Sequence, residues 1–291
     1  MSHNKNGIYA ASGAFFIWGI LVLYWKWLGR IPVAEIICHR ILWSSSILWL
    51  ILLWQKQCRA TFQHFLTPKL CGIHFVSGLL LSGNWSLYIW ATLNDRIIEG
   101  ALGYYLNPFF NMLFGSLIFK ERYSLLQKIS IVIAIIGVAC QFYQVTTFPW
   151  VALCLAVSFS LYGVVRKKSP LPSLSGLTVE TSLLLPISLT FLIFIAVRDN
   201  DPSRLFSEPA LLTTGIVTAC PLLLFGFAAR NISLSTLGIM QFLGPTLQFI
   251  IGWQIYKEPL SPQKITSFAL IWTAIALYCL AARKKGKKLK N

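Results

Sequence analysis

Charged residues are scarce in this chain. Only 12% of its 291 residues are Asp, Glu, Lys or Arg, whereas about 25% are charged in a typical soluble domain. Hydrophobic residues make up 56%, and the mean hydropathy is +0.67. This composition argues against a water-soluble fold. At about 20 residues per membrane helix, a chain of this length has room for about ten membrane spans.

Catalytic and metal-binding signatures are missing from the sequence. It contains no GxSxG, HExxH, P-loop or GxGxxG motif, and no aspartate falls inside an apolar run, which removes an intramembrane aspartyl pair. The 7 cysteines include no CxxC pair and are scattered, as expected for small buried hydrophobic residues. His39 is the only histidine that we expect inside the membrane. We therefore predict that the protein is not an enzyme and holds no metal or cofactor.

Acidic residues are fewer than basic ones, 9 against 25, and the formal net charge is +16. Such an excess could suit nucleic acid, but the basic residues lie between apolar runs and in the C-terminal tail, so we predict no nucleic-acid partner. Lys and Arg collect on the cytoplasmic side of membrane proteins. Their distribution here fits a protein with both termini in the cytoplasm and a tail that contacts anionic membrane lipid.

Ten apolar stretches of about bilayer thickness follow one another along the chain. They cover residues 7–25, 34–54, 71–92, 101–119, 128–146, 149–166, 177–197, 209–229, 235–256 and 264–282. Turn-forming or charged segments such as Arg30-Ile31-Pro32 separate most of them. The boundary at residues 146–149 is the least distinct, because almost no polar loop lies there. The first stretch is too long for a signal-peptide core, and we predict that it is retained as a span.

The two halves of the chain share residues at a constant spacing. Asn94, Leu106, Pro108, Gly115, Ile118, Lys120, Glu121 and Ser124 recur as Asn231, Leu243, Pro245, Gly252, Ile255, Lys257, Glu258 and Ser261. Five spans per half is an odd number, so the halves should cross the membrane in opposite orientations. We therefore predict an all-α membrane protein of about ten transmembrane helices in two inverted five-helix repeats, residues 7–146 and 149–282, followed by a basic cytoplasmic tail at 283–291. Transporters built in this way bind substrate between the repeats.

Ionisable residues inside the predicted spans are candidates for coupling. The candidates are Glu35, His39, Arg40 and Glu180. Glu35 and His39 are four residues apart and share a helix face. Glu180 stands at the matching place in the second half and could pair with Arg166 or Lys167 across a short inner loop. Because ionisable groups inside a membrane are costly and usually line a pathway, proton or substrate coupling is one interpretation, and an ion cluster at the membrane interface is the other.

Polar and aromatic residues of the third and fourth spans are candidates for a substrate cavity. They are Asn84, Trp85, Tyr88 and Tyr104. Aromatic surfaces with a few amides suit an amphipathic organic ligand or a cation. An aromatic belt at the membrane interface is the alternative explanation for many of the 11 tryptophans.

Prolines at matching positions of the two halves predict broken helices. Asn107-Pro108 lies in the fourth span and Gly244-Pro245 in the ninth, and proline frees a backbone carbonyl that must find another partner. Transporters use such breaks at substrate sites, whereas a plain kink would serve helix packing only. Gln241 and Arg230 complete the candidate set, so the predicted cavity lies between the third, fourth, eighth and ninth spans.

A Lys-Glu pair ends each copy of the repeated stretch. Lys120-Glu121 and Lys257-Glu258 could be interfacial caps or ion pairs between helices. A pair of gates is the competing interpretation.

Several segments together resemble the EamA-type carriers of the drug/metabolite transporter superfamily. They include Phe16-Ile17-Trp18-Gly19, His39-Arg40-Ile41-Leu42-Trp43-Ser44, Asn84-Trp85, Leu102-Gly103-Tyr104-Tyr105, Asn107-Pro108, Thr178-Val179-Glu180-Thr181 and Leu234-Ser235-Thr236-Leu237-Gly238. The resemblance covers nearly the whole chain. It implies ten helices in two inverted repeats around a central cavity in the bacterial inner membrane. It also implies secondary transport of small organic molecules, often the export of metabolites or drugs.

These observations together predict a carrier that works by alternating access on a small-molecule substrate. No ATP-binding motif is present, so uphill transport must use an ion gradient, and protonation of Glu35 or His39 is the first coupling hypothesis. A membrane scaffold or subunit that transports nothing is the alternative. Small residues on the span faces are compatible with a homodimer.

Overall fold

The computed structural model describes residues 2–28, 31–93, 97–142, 149–200, 209–255, 257 and 262–288. These residues form α-helices and no strand. The helices are α1 (Ser2–Trp27), α2 (Val33–Trp54), α3 (Cys58–Phe65), α4 (Pro68–Leu93), α5 (Ile97–Phe119), α6 (Leu125–Phe142), α7 (Trp150–Lys168), α8 (Ser173–Arg198), α9 (Pro209–Asn231), α10 (Leu234–Gln241), α11 (Leu243–Gln254) and α12 (Pro262–Lys288). The prediction of an all-helical fold is confirmed for this part of the chain.

Each predicted span coincides with a helix, except that the ninth is divided between α10 and α11. Six segments within the described residues are long and apolar enough to cross a membrane. They are Val33–Trp54, Pro68–Tyr88, Trp150–Lys168, Ser173–Arg198, Ala210–Asn231 and Leu234–Gln254. The count of ten spans stays a prediction. The short helix α3 was not predicted as a separate element.

Proline determines where several helices begin. Pro32, Pro149 and Pro172 stand immediately before α2, α7 and α8. Because the first N–H groups of a helix have no partner within it, a residue without an N–H is tolerated there. The sequence therefore fixes these boundaries locally, before any tertiary contact forms.

Two lysines at matching positions of the repeat share an unusual backbone conformation. Lys120 and Lys257 have φ angles of 54° and 53°, in the left-handed region that commonly ends helices. After Lys120, the N–H of Glu121 donates to the carbonyl of Gly115 at 3.0 Å, which is the longer hydrogen bond of a Schellman helix end. The sequence repeat is thus accompanied by the same backbone conformation in both halves.

Contacts between helices also come in matching pairs. In chain order, α1, α2, α4, α5 and α6 of the first half correspond to α7, α8, α9, α10–α11 and α12 of the second. The contacts of α1 with α9 and α11 correspond to those of α7 with α4 and α5. The contact of α2 with α9 corresponds to that of α8 with α4. Three further contacts join equivalent helices of the two halves: α2 with α8, α5 with α10, and α6 with α12. Exchanging the halves therefore leaves the list of principal contacts unchanged, as expected for a pseudo-twofold relationship.

An aromatic cluster holds the halves together near α1, α7 and α9. The rings of Trp18 and Tyr162 each lie 5.7 Å from the ring of Phe225, and Phe159 lies 5.3 Å from it. Trp18 and Tyr162 occupy similar places in the two halves, each directly before a glycine. Large aromatic side chains supply much of the dispersion energy that remains available where helices pack inside a bilayer.

Candidate functional site

The crossing of α5 and α10 brings the predicted cavity residue Gln241 into contact with Asn111 of the other half. Asn111 Nδ2 donates to Gln241 Oε1 at 2.9 Å, and both side chains are buried. The helices approach closely because Gly238 faces Pro108: a Cβ at position 238 would lie 2.8 Å from the Pro108 carbonyl oxygen. A direct polar contact thus joins the repeats beside the prolines that the sequence singled out.

Asn107 lies in the same crossing and is completely buried. Its backbone carbonyl accepts from Ser160 Oγ at 3.2 Å. Neither its side-chain oxygen nor its side-chain nitrogen has a hydrogen-bond partner among the described residues, and the same holds for Asn111 Oδ1. A buried polar atom without a partner costs about 1–3 kcal/mol, and such atoms are concentrated where proteins bind or react.

The two prolines behave differently in the structure. α5 continues through Pro108 from Ile97 to Phe119, so the predicted break at Asn107-Pro108 is wrong. In the second half, α10 ends at Gln241 and α11 begins at Leu243, which confirms the break before Pro245. Proline lacks the N–H that would bond the carbonyl four residues earlier, yet α5 remains helical on both sides of Pro108.

The candidate residues Tyr88, Tyr104 and Asn84 take part in two different helix contacts. The rings of Tyr88 and Tyr104 are 5.2 Å apart, so α4 and α5 face each other there. Asn84 instead turns toward α7, where its Nδ2 donates to the Leu155 carbonyl at 2.8 Å and to Ser158 Oγ at 2.9 Å. Asn84 is therefore buried in a helix contact, with its Oδ1 unpartnered among the residues described.

Arg40 joins α2, α4 and α9. Its Cζ lies 3.8 Å from the centre of the Trp85 ring, within the range of a cation–π contact. Its Nε donates to Thr218 Oγ1 at 2.9 Å. Trp85 and Thr218 also line a cavity of about 20 Å³ between α2, α4, α8 and α9, and Glu180 is another of its lining residues.

Glu35 and His39 lie on α2 one turn apart and are both buried, with Glu35 5% and His39 0% exposed. Trp43, one further turn along, donates its Nε1–H to His39 Nδ1 at 3.2 Å. The shared face predicted from their spacing is thus a buried one. Arg40, the next residue, points its guanidinium toward Trp85.

Glu180 is the centre of a buried polar network. Its Oε1 accepts from Ser77 Oγ at 2.7 Å, from Arg166 Nη1 at 3.0 Å and from His74 Nδ1 at 3.1 Å. All four side chains are almost completely buried. Of the two basic partners proposed from the sequence, Arg166 forms the ion pair. The part of the chain that is described contains no group of three His, Cys, Asp or Glu side chains able to hold a metal.

His74 was missed at the sequence level. It lies inside the apolar segment Pro68–Tyr88, so the prediction that His39 would be the only histidine within a span is wrong. The residues that it contacts are about a hundred positions away in the chain, with Glu180 106 positions later and Ser169 95 positions later. No local pattern in the sequence could have indicated this pairing.

Lys167, the other basic residue, serves a different contact. Its Nζ donates to the carbonyl of Ala229 at 3.1 Å and to that of Ile232. It also lies 5.4 Å from the centre of the Phe119 ring. A cation near the last carbonyls of α9 is favourable because these groups carry the negative end of the helix dipole.

Glu121 connects the end of α5 to the beginning of α10. Its Oε1 accepts from the N–H of Leu234 at 2.8 Å, and its Oε2 accepts from the N–H of Ser235 at 3.1 Å and from the Ser235 hydroxyl. Ser233 completes the cap, because its Oγ accepts from the N–H of Thr236 at 3.1 Å. A carboxylate at a helix N-terminus is favourable, so the structure supports the interpretation of Glu121 as a helix cap.

Tyr123 lies between α5 and α6, close to this cap. Its hydroxyl donates to the Met112 carbonyl at 2.6 Å. Burial raises the pKa of Tyr123 to about 12, although a hydrogen bond with Ser235 acts in the opposite direction. The phenol therefore stays protonated and keeps its role as a donor at any physiological pH.

Arg230 and Pro245 lie apart from the buried set. Arg230, the penultimate residue of α9, is exposed and donates to the carbonyl of Leu171. Pro245 is partly buried in the first turn of α11. Among the predicted cavity residues, Gln241 therefore contacts α5 through Asn111, and Trp85 contacts Arg40. Arg230 instead bonds the carbonyl of Leu171 in the connection between α7 and α8.

Known proteins resemble this chain over nearly its whole length. The EamA-like transporter family matches it twice, at residues 5–143 and 148–280. An uncharacterised transporter of Pseudomonas aeruginosa is 39% identical, with 98% of this chain and 97% of that protein covered. The uncharacterised transporter YojE of Bacillus subtilis is 37% identical, with 100% and 99% covered. The protein RarD of Escherichia coli is 37% identical, with 96% and 95% covered.

A crystal structure of another protein shares the fold. It matches with a TM-score of 0.73 at 18% sequence identity, covering 97% of this chain and 99% of the other. The two family matches agree with the duplicated residues, and the family consists of transporters rather than enzymes. The chain therefore belongs to the EamA-like transporter family, resembles RarD, and is a multi-pass membrane transporter.

Proposed function

We propose that this protein is a secondary transporter that exports small organic molecules, such as metabolites or drugs, by alternating access and at the expense of a proton gradient. The observation that carries the proposal is the buried polar crossing of α5 and α10, where Asn111 bonds Gln241 and Asn107 keeps unpartnered polar atoms. Polar groups at the contact between two repeats are what an alternating-access carrier requires for its substrate.

The proposed arrangement is ten spans in two inverted repeats, with both termini in the cytoplasm of a bacterial inner membrane. Two observations support it. The principal helix contacts are unchanged when the halves are exchanged. The excess of basic residues in the connections assigned to the inside fits the same orientation.

The proposed substrate is amphipathic. Tyr88 and Tyr104 provide aromatic surface, and the stacked pair of Arg40 and Trp85 combines a cation with an aromatic face. Asn107 adds amide hydrogen-bonding capacity at the crossing of α5 and α10. A ligand with an aromatic ring and a few polar groups would use each of these features.

Coupling is assigned first to Glu35 and His39, which are buried on one face of α2. If the coupling proton binds on this face of α2, Glu35→Gln uncouples transport from the proton gradient while leaving the protein folded. Proton movement that stays linked to substrate in this variant would contradict the assignment.

The test uses purified protein in proteoliposomes that contain a trapped pH dye. A panel of amphipathic aromatic compounds and amino acids is added, and both exchange of labelled compound and proton movement are recorded against empty vesicles. We expect Gln241→Leu to lower exchange about five- to tenfold, because one buried hydrogen bond is lost. Thr273→Val is the matched control, since Thr273 is exposed on α12 and bonds only its own helix.

Two results would contradict the proposal. One is the absence of exchange for every compound of the panel by protein shown to be folded. The other is full tolerance of changes at Asn107 and Gln241, which a membrane scaffold would show. A scaffold would also retain a stable partner protein after mild solubilisation.

A further inference from the structure

The network around Glu180 has the properties of a proton-binding site. It contains a histidine, a carboxylate and a guanidinium that are almost completely buried, in a region where desolvation makes any change of charge consequential. We propose that His74, held between Glu180 and Ser169, is the side chain that binds and releases the coupling proton. The inference rests on the proposed function and departs from it at one point: the coupling proton binds in the network of Glu180 rather than at Glu35 and His39.

Both ring nitrogens of His74 have partners. Nδ1 lies 3.1 Å from Glu180 Oε1, and Nε2 lies 3.0 Å from Ser169 Oγ. Neutral His74 can donate Nδ1–H to the carboxylate and accept the Ser169 hydroxyl proton at Nε2. Protonated His74 donates from both nitrogens, and Ser169 Oγ then accepts. Each protonation state is therefore hydrogen-bonded without any movement of the helices.

The proton balance of the step is simple. Uptake forms the Nε2–H bond of His74 and breaks one O–H bond of a hydronium ion, and release reverses both changes. No electron is transferred. Histidine suits this role because it is the side chain whose ordinary charge change falls near neutral pH.

The charged groups around His74 determine the net charge of the buried network in each protonation state of the imidazole. On α8, Glu180 carries the negative charge, and on α7, Arg166 balances it at 3.0 Å. Tyr162 of α7 interacts electrostatically with both, and Arg230 of α9 interacts with Arg166. The described contacts of His74 include no titratable group from α2, α3 or α5. The network is neutral when His74 is neutral and gains one buried positive charge when His74 is protonated.

A route for the proton leads away from His74 on two sides. Ser169 follows α7 directly and begins the short connection to α8, which the proposed topology places at the inner surface. On the other side, Glu180 borders the cavity of about 20 Å³ that Thr218 also lines. Its Oε2 is buried without a hydrogen-bond partner among the described residues. A cavity of this size has room for one water molecule.

This cavity links the network to the proposed substrate region. Thr218 accepts from Arg40, which stacks on Trp85. A chain of contacts therefore connects His74 with Arg40 through Glu180, the cavity and Thr218. Substrate binding near Arg40 and proton binding at His74 can influence each other through these groups, which is the energetic coupling that a secondary transporter needs.

The experiment compares His74→Gln with His64→Gln in the proteoliposomes described above. His64 lies on the short helix α3, outside the network. The probe is the panel compound that gives the largest exchange signal with the wild-type protein. We expect the number of protons moved per molecule of probe to fall at least tenfold in His74→Gln and to stay unchanged in His64→Gln.

A second variant keeps the test decisive where His74→Gln does not fold. Ser169→Ala removes the partner of Nε2 and the acceptor of the Leu171 N–H but keeps His74, so we expect the pH midpoint of coupled transport to shift while the ratio of protons to probe is kept. In parallel, NMR of protein labelled with ¹⁵N-histidine follows the 4 histidines of the chain. The His74 signals should change with pH over the range in which accumulation of the probe depends on pH.

The outcomes separate this inference from the proposed function. Absence of probe exchange by the wild-type protein overturns the proposed function itself. Exchange with unchanged proton coupling in His74→Gln, an unmoved midpoint in Ser169→Ala, or His74 signals that do not respond to pH each overturns the assignment of His74. Loss of coupling in Glu35→Gln but not in His74→Gln overturns it in favour of the site on α2.

Discussion

Replacing Glu121 by alanine should destabilise the junction between the two repeats. The carboxylate accepts three hydrogen bonds from Leu234 and Ser235 at the first turn of α10. The change leaves two helix N–H groups without their partner and removes a favourable charge from a helix N-terminus. From the usual cost of losing a cap and a charge-assisted hydrogen bond, we expect a loss of about 2–3 kcal/mol. In a chain of this size, this corresponds to a fall of about 4–9 °C in Tm.

The assay is thermal unfolding of detergent-solubilised protein, followed by circular dichroism. Glu121→Gln keeps one acceptor oxygen and should lose about half as much stability. Lys128→Ala is the matched control, because Lys128 is an exposed charged residue on the neighbouring helix α6. Combining Glu121→Ala with Ser235→Ala should give less than the sum of the single effects, by about 1 kcal/mol. A Tm change below about 1 °C, or strict additivity of the two changes, would refute the reasoning.

Two further substitutions test packing and charge burial. Arg166→Met leaves the carboxylate of Glu180 buried without its ion-pair partner and should cost about 3–5 kcal/mol. The double variant with Glu180→Gln should recover part of this loss. Equal Tm values for the single and double variants would contradict the ion-pair argument. Gly238→Ala places a Cβ 2.8 Å from the Pro108 carbonyl and should cost about 1–3 kcal/mol. Gly83→Ala meets no atom within 4 Å and should not lower the Tm, because alanine is favoured over glycine inside a helix.

The order and placement of the helices could be anticipated from the sequence. Apolar runs between Pro-containing or charged breaks coincide with helices, because proline and the bilayer both act on local sequence. The duplicated Lys120 and Lys257 indicated equivalent positions, and both adopt the left-handed conformation. The repeat did not predict that α5 would continue through Pro108 while the matching span of the second half divides before Pro245.

The candidate site was predictable only in part. Asn107 and Gln241 were singled out because they flank prolines, and Asn111, which bonds Gln241, lies beside them. His74 falls inside the predicted third span, residues 71–92, but its partners could not be found, because they lie far along the chain and an apolar helix such as α4 has no polar face that reports its orientation. In soluble helices, periodicity supplies that information; in a helix surrounded by lipid and apolar neighbours it does not.

The sequence by itself determined the class of the protein: an apolar, duplicated chain of the EamA-like family whose spans are fixed by local composition. Only the tertiary structure decided which side of each helix faces its neighbours. Arg166 and Lys167 are adjacent in the chain, yet they point about 100° apart around α7. The first therefore reaches Glu180, while the second reaches the last carbonyls of α9. The rotation of a helix about its own axis follows from packing against its neighbours, which a uniformly apolar sequence does not encode locally.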